Sequence, residues 1–314
     1  MFALFGIGVT SIGLSQSKTM SVARESTQQI SNFQGTETSA GNSSAGESAA
    51  DEGNDAMSAE SPTYRAYDLM QATVHVVTVP LGTPLSVASA DELATVEEFA
   101  QQENALAVIN AGFFDPQNSK TTSHITIDGQ LVGNPADNER LVSNPDLQDY
   151  LPQILDRSEF RIYQCEFSEA LPYDIVFHSV EEPQKCTTLS AVGAGPQLLP
   201  DNTATVEAFT DYEEGDLVRD AIGSVAPNAR SAIALKEDGS IMLFMVAQRS
   251  DALGMTLLEL AEFAESLEAT ELLNLDGGSS SALYYEGQIH LGRLDANGNP
   301  VNRPVKSVII VGHN

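Results

Sequence analysis

Two short stretches of this chain place a polar side chain directly after an apolar run and then follow it with glycine. In Leu275-Asp276-Gly277-Gly278-Ser279-Ser280-Ser281 a carboxylate precedes two residues without Cβ and three hydroxyls. Such glycines let backbone N–H groups approach an anionic ligand, and the hydroxyls add further hydrogen bonds. In Asn110-Ala111-Gly112-Phe113-Phe114-Asp115 an amide, a flexible glycine and a carboxylate follow the apolar run 105–109. Tight turns capped by the Asp or Asn side chain are the alternative reading of both. Arg230 stands at the entry of an apolar strand, in Asn228-Ala229-Arg230-Ser231-Ala232-Ile233. Its planar fork bonds two oxygens at once, which suits either a structural acid or an anionic group on a substrate.

Other patterns exclude chemistry. Val192-Gly193-Ala194-Gly195-Pro196 lacks the G-x-G-x-x-G spacing, so dinucleotide binding is not expected. Gly277-Gly278-Ser279 has Ser281 where a nucleophile elbow needs glycine. Asp295-Ala296-Asn297-Gly298-Asn299 starts like a calcium loop, then has Pro300 at the turn and Lys306 in place of the bidentate acid. The five histidines (His75, His124, His178, His290, His313) form no HExxH or i,i+4 pair, so a zinc site is not expected. No cofactor is called for. A divalent metal near Asp276 stays open, with no ligand set in the sequence to specify it.

The elements that must position these residues follow one grammar. Ala72–Val79 is rich in β-branched residues and reads as a strand. Ser89-Ala90-Asp91-Glu92 has the spacing of a capping box, and Leu93, Val96, Phe99 and Ala100 follow at helical spacing. The run 105–109 is then a strand. Later, Ile241–Ala247 reads as a buried strand and Thr256-Leu257-Leu258-Glu259 as a second capping box. Leu257, Leu260, Ala261, Ala264 and Leu267 form a helical apolar stripe, and Glu271–Leu275 is a strand. Strand–helix–strand units predict parallel pairing through right-handed crossovers, with Asn110 and Asp276 past strand ends at a common cleft. Asp128-Gly129, Asp238-Gly239 and Glu286-Gly287 each sit between apolar runs and predict hairpins. The expected class is α+β, a single domain on a mixed sheet.

Composition narrows the partners. The chain has 314 residues, 42% hydrophobic, no Trp, and 15 basic against 44 acidic residues for a net charge of −29. That field repels nucleic acid and anionic lipid, so neither is an expected partner; otherwise it acts as a solubility device. Phe2–Leu14 is apolar but shorter than the roughly 20 residues of a membrane span, and it matches a signal-peptide core. The expected organisation is a signal-like segment over 1–17, a Ser/Gly/Glu-rich linker over 18–63 and a folded domain over 64–314, with no stable membrane span. The expected location is secreted, periplasmic or cell envelope. Cys165 and Cys186 would form a disulfide in an exported protein, or else two buried thiols.

Taken in order, several segments form a recognisable set: Asn110-Ala-Gly-Phe-Phe, Gly193-Ala-Gly-Pro-Gln-Leu-Leu, Ala229-Arg-Ser-Ala-Ile-Ala, Gly254-Met-Thr-Leu-Leu-Glu-Leu-Ala261, Asn274-Leu-Asp-Gly-Gly-Ser-Ser-Ser281 and Arg303-Pro-Val. Together they resemble the phosphodiester glycosidase family, which includes the lysosomal uncovering enzyme and many exported bacterial proteins. Ser158–Cys165 looks like its cyanobacterial branch. Ser279 stands where the family often has a third glycine, and Ala247-Gln248 precede Arg249 where it often has Asp-Gly. The resemblance implies hydrolysis of a sugar 1-phosphodiester at the sugar–oxygen bond, on a phosphorylated carbohydrate or glycan. It implies site positions at Asn110, Arg230 and Asp276, with Gly112, Gly277, Gly278 and Ser280 beside them. In the mechanism expected from it, Arg230 and the N–H groups of Gly277 and Gly278 bind the phosphodiester. Asp276 is nucleophile or general base, Asn110 orients sugar or water, and Asp115 is a second carboxylate. The alternatives are a non-catalytic module for envelope or extracellular polysaccharide, and a phosphodiesterase that cuts P–O.

Overall fold

The computed structural model describes residues 60–166 and 172–313; the signal-like segment and all but the last residues of the expected linker lie outside them. A six-stranded sheet runs in the order β1 (Thr63–Asp68), β2 (Thr73–Val79), β14 (Ile241–Ala247), β13 (Arg230–Lys236), β15 (Ala269–Asn274) and β10 (Gln197–Leu199). A second sheet is ordered β17 (Gln288–Leu291), β16 (Ala282–Tyr285), β4 (Ala107–Asn110), β18 (Val305–Val311) and β3 (Leu85–Ala94). The third is β6 (Gln130–Gly133), β5 (Ile125–Ile127), β9 (Cys186–Gly193), β7 (Ser158–Cys165) and β8 (Tyr173–Phe177). A ribbon of β11 (Thr210–Glu213) and β12 (Asp216–Asp220) stands apart. Among the described residues the α-helices are α1 (Val96–Gln102), α2 (Glu139–Val142), α3 (Leu151–Ile154) and α4 (Leu257–Ser266). None is long and apolar enough to cross a membrane.

The inner faces of the three sheets share one core, to which Val77, Ile233 and Leu243 come from the first, Ile109 and Ile309 from the second, and Ile125 and Phe160 from the third. The outer face of the first sheet is covered by α4, whose Leu257, Leu260 and Phe263 meet Val76, Phe244 and Leu272. The outer face of the second is covered by α1 through Val96, Phe99 and Ala100. Burial on both faces explains why β13 and β14 read as continuous apolar runs rather than as alternation. Each fully buried Leu or Phe contributes about 1.5–3 kcal/mol.

Neither expected strand–helix–strand unit pairs its own strands. Every strand pair among the described residues is antiparallel. In the unit β14–α4–β15, strand β13 lies between the two strands and bonds to both. In the first expected unit Ala72–Val79 is β2 of the first sheet, and the strand that leads into α1 is the unpredicted β3, separated from β4 by β18. The flanking strands are therefore parallel to one another only at one remove. The fold is a helix-poor assembly of antiparallel sheets, not the mixed sheet the sequence suggested. All three predicted hairpins form, with Asp128, Gly129, Glu286, Gly287 and Gly239 at positive φ as their turns require. Cys165 and Cys186 form a disulfide across adjacent strands β7 and β9.

One capping box is displaced from its expected place. Ser89 belongs to β3 and pairs with Ser307 of β18. The box at α1 is Thr95 with Glu98, whose side chain and backbone bonds are both present, and the box at α4 is Thr256 with Glu259, as expected. Thr95→Ala and Thr256→Ala are each expected to lower stability by about 1 kcal/mol, while Ser89→Ala stays within about 0.5 kcal/mol. Urea midpoints of the three variants check this; equal losses at Ser89 and Thr95 would overturn the assignment.

Candidate active site

Asn110 is the last residue of β4 and is fully buried. Its Nδ2 donates to the backbone carbonyl of Asp276 at 2.5 Å, and its Oδ1 accepts from Ser231 Oγ at 2.7 Å and the Ala282 amide at 3.1 Å. The Asp276 amide in turn donates to Ala111 O at 2.8 Å. The two stretches singled out in the sequence are thus stitched together, and Phe113 of one and Asp276 of the other, but not Asn110, line one cleft. The Asn110 side chain, however, holds the framework and is not turned to a ligand.

Asp276 lies just past β15, partly covered, at a cleft of about 250 Å³ that Phe113, Asn228, Arg230, Asn274, Gly277 and Gly278 also line. Burial raises its carboxyl to about 6, against the opposing pull of the Ser280 hydroxyl, the charge of Arg303 and the Gly277 amide. The Gly278 amide, expected to face an anion, donates instead to Ala229 O at 2.8 Å. Gly278 adopts φ +61°, so its glycine identity serves the turn. Ser280 is buried beside Asp276.

Arg230 departs from its expected role. Only 2% exposed, it donates to four carbonyls: Nε to Met255, Nη1 to Ile222, and Nη2 to Gly223 and Ala226, at 2.5–3.1 Å. Burial lowers it to about 10, which still leaves a cation at neutral pH. Its fork fixes the wall of the cleft. Asp115 also departs: it accepts from Arg140 Nε at 2.6 Å and from the Gln117 amide, and it does not line the cleft. Gly112 is a packing residue, since a Cβ there would stand 3.0 Å from Gly193 O and 3.1 Å from both Ser123 Cβ and Ser307 Oγ.

Three residues that sequence reasoning left without a role complete the site. Arg303, from the loop before β18, donates from Nη1 to Ser279 Oγ at 3.0 Å and Ser280 Oγ at 3.4 Å, with its guanidinium 4.7 Å from the Phe114 ring centroid. Its Nε and Nη2 make no hydrogen bond among the described residues, and it joins no ion pair there. Asn274 is 1% exposed; its Nδ2 donates to Gly195 O at 2.8 Å while its buried Oδ1 has no protein partner. Glu207, 1% exposed, shapes the neighbouring loop by accepting from the amides of Ser158 and Gln197 and the hydroxyls of Ser158 and Thr203. A Cβ on Gly195 would stand 2.3 Å from Glu207 Oε2. The signal for Arg303 was its place in the Arg303-Pro-Val segment; Glu207 sits in a stretch with no pattern to mark it.

A carboxylate of raised pKa and an unpaired amide oxygen at one cleft, with a cation of unused donors reached through Ser280, define a site for a polar, partly anionic ligand. Over residues 103–312 the chain matches the model of the phosphodiester glycosidase family, and it belongs to that family. It is 24% identical over 196 residues to mouse N-acetylglucosamine-1-phosphodiester alpha-N-acetylglucosaminidase, an alignment covering 62% of this chain and 35% of the mouse protein. The fold resembles the zebrafish enzyme of the same name, a catalytic domain auto-inhibited by its pro-peptide. That match has a TM-score of 0.60 at 18% identity over 83% of this chain and 86% of the other. A protein from Burkholderia pseudomallei matches at TM-score 0.53 and 17% identity, over 77% and 74% of the two chains.

Asp276 binds its proton more tightly in the fold than in the unfolded chain, where its value is near 3.8. Its contribution to unfolding free energy therefore falls as pH rises from about 4 to about 6. Relative to the parent protein, Asp276→Asn is expected to gain stability between pH 4.5 and 7.5, read from urea midpoints at the two pH values. An unchanged difference would remove the perturbed carboxyl.

Proposed function

We propose that the chain is a glycosidase-type hydrolase that breaks the sugar–oxygen bond of a sugar 1-phosphodiester and leaves a phosphomonoester. The observation that carries this reading is the Asp276–Ser280–Arg303 relay, in which one hydroxyl joins a desolvated carboxyl to a cation with unused donors. Arg303, rather than Arg230, holds the phosphodiester through Nε and Nη2. Above about pH 6 Asp276 is ionised, and it serves at the anomeric carbon as nucleophile or as base toward water. The unpaired Asn274 Oδ1 accepts from a sugar hydroxyl or N–H. A phosphate leaves as a stabilised anion, so the chemistry needs no strong general acid, in keeping with a cleft that Asp115 does not enter. A phosphorylated carbohydrate or glycan is the substrate class. Work outside the cytosol is proposed with it, on the support of the Cys165–Cys186 disulfide.

The test is incubation with a panel of sugar 1-phosphodiesters in water enriched in oxygen-18, with free sugar and label both scored. Label in the sugar is expected; label in phosphate would convert the reading to a phosphodiesterase. Asp276→Asn is expected to lose about a hundredfold or more in kcat/KM. Arg303→Ala is expected to raise KM and to move the acid limb of the pH profile above about 6, because a charge that lowers the Asp276 pKa is gone. No release from any member would favour a cleft that only binds polysaccharide.

A further inference from the structure

The third sheet brings together two histidines that lie 54 positions apart. His124 stands just before β5, and the Gly193 amide at the end of β9 donates to its carbonyl at 2.8 Å. Gly193 pairs in register with Glu159 of β7, and Glu159 pairs with Val176 of β8. Residues directly opposite in antiparallel strands project to the same face. His124, Gly193 and Glu159 therefore form a row across three strands, and His178, two residues past Val176, shares that face. The middle position of the row has no side chain. The His124 and His178 rings stack across it, with centroids 3.5 Å apart and planes 3° from parallel.

We infer that His124, Glu159 and His178 form a binding site for a zinc-class divalent ion, apart from the catalytic cleft. One donor atom from each of the three lies within 4.8 Å of the others. His178 Nδ1 is 2.9 Å from Glu159 Oε2. Metal bonds of about 2.0–2.1 Å in tetrahedral array set their donors about 3.3 Å apart, so this pair is close to ligand spacing already. Two imidazoles and one carboxylate with an open fourth position is a zinc donor set, whereas calcium and magnesium favour all-oxygen cages. The outer shell is also present. Arg161 Nε donates to the other oxygen of Glu159, Oε1, at 2.6 Å. Arg161 is itself fixed by the carbonyls of Phe177, His178 and Val180. A ligating carboxylate held this way presents a single oxygen to the ion. Binding breaks the hydrogen bond between His178 and Glu159. It also swings one ring about its Cβ–Cγ bond, so that lone pairs lying parallel in the stack converge.

Both cysteines are joined in a disulfide, so no thiol competes for the metal. The experiment is calorimetric titration of chelator-stripped protein with zinc chloride, followed by the visible spectrum of the cobalt(II)-loaded form. One site per chain and a tetrahedral cobalt spectrum are expected. His124→Ala and His178→Ala should each weaken zinc binding about tenfold or more. His290→Ala, at the separate stacked pair His75–His290, should leave it unchanged. Circular dichroism of the apo variants verifies that they fold. Absence of zinc binding by the parent protein, or undiminished binding by the folded His124→Ala/His178→Ala double variant, would overturn the site.

Discussion

The arrangement turns on the side chain of Asn110. One buried amide, at the carboxyl end of a second-sheet strand, bonds the carbonyl of Asp276 beyond the first sheet. It also bonds the hydroxyl of Ser231 within the first sheet and the amide of Ala282 within the second. An unsatisfied buried amide costs about 1–3 kcal/mol, so these partners hold their positions together or lose them together. Asp276 is therefore located by a joint between sheets rather than by its own turn. Through Ser280 the same joint sets the distance to Arg303.

Two arginines of similar sequence setting take opposite parts. Arg230 is enclosed by backbone carbonyls and acts as an internal brace. Arg303 rests on an aromatic face with half its fork unengaged. The difference is one of surroundings, since both guanidiniums offer the same five donors. In a chain with 15 basic residues against 44 acidic ones, an uncommitted cation beside a buried carboxyl marks the site better than any glycine does.

The parts of this fold that were legible in the sequence were local. Asp128-Gly129, Asp238-Gly239 and Glu286-Gly287 encode their turns in their own backbone preferences, and Thr256 with Glu259 encodes its own cap. Ser89 with Glu92 shows the same spacing as Thr95 with Glu98, and the choice between them is made by β18, more than 200 residues away. Parallel pairing was misread for a similar reason: β13 intercalates between β14 and β15 without being part of that unit, and Ala72–Val79 joins a different sheet from the run 105–109. The ordered motif set led to the family and to Asp276. It could not show that the Arg230 fork would be filled by carbonyls from two other loops, nor that His124 and His178 would stack across the third sheet.

The Arg230 brace also decides how the cleft can move. Its four carbonyl partners come from residues 222–226 and from Met255, on either side of the chain that leads into β13 and α4. Swinging that wall outward would strip a buried cation of its solvation shell of carbonyls, and among the described residues no carboxylate forms an ion pair with it, although the charge of Asp220 acts on it. The wall therefore behaves as masonry rather than as a door. A ligand of this cleft would then meet a shape fixed before the encounter rather than one that closes around it.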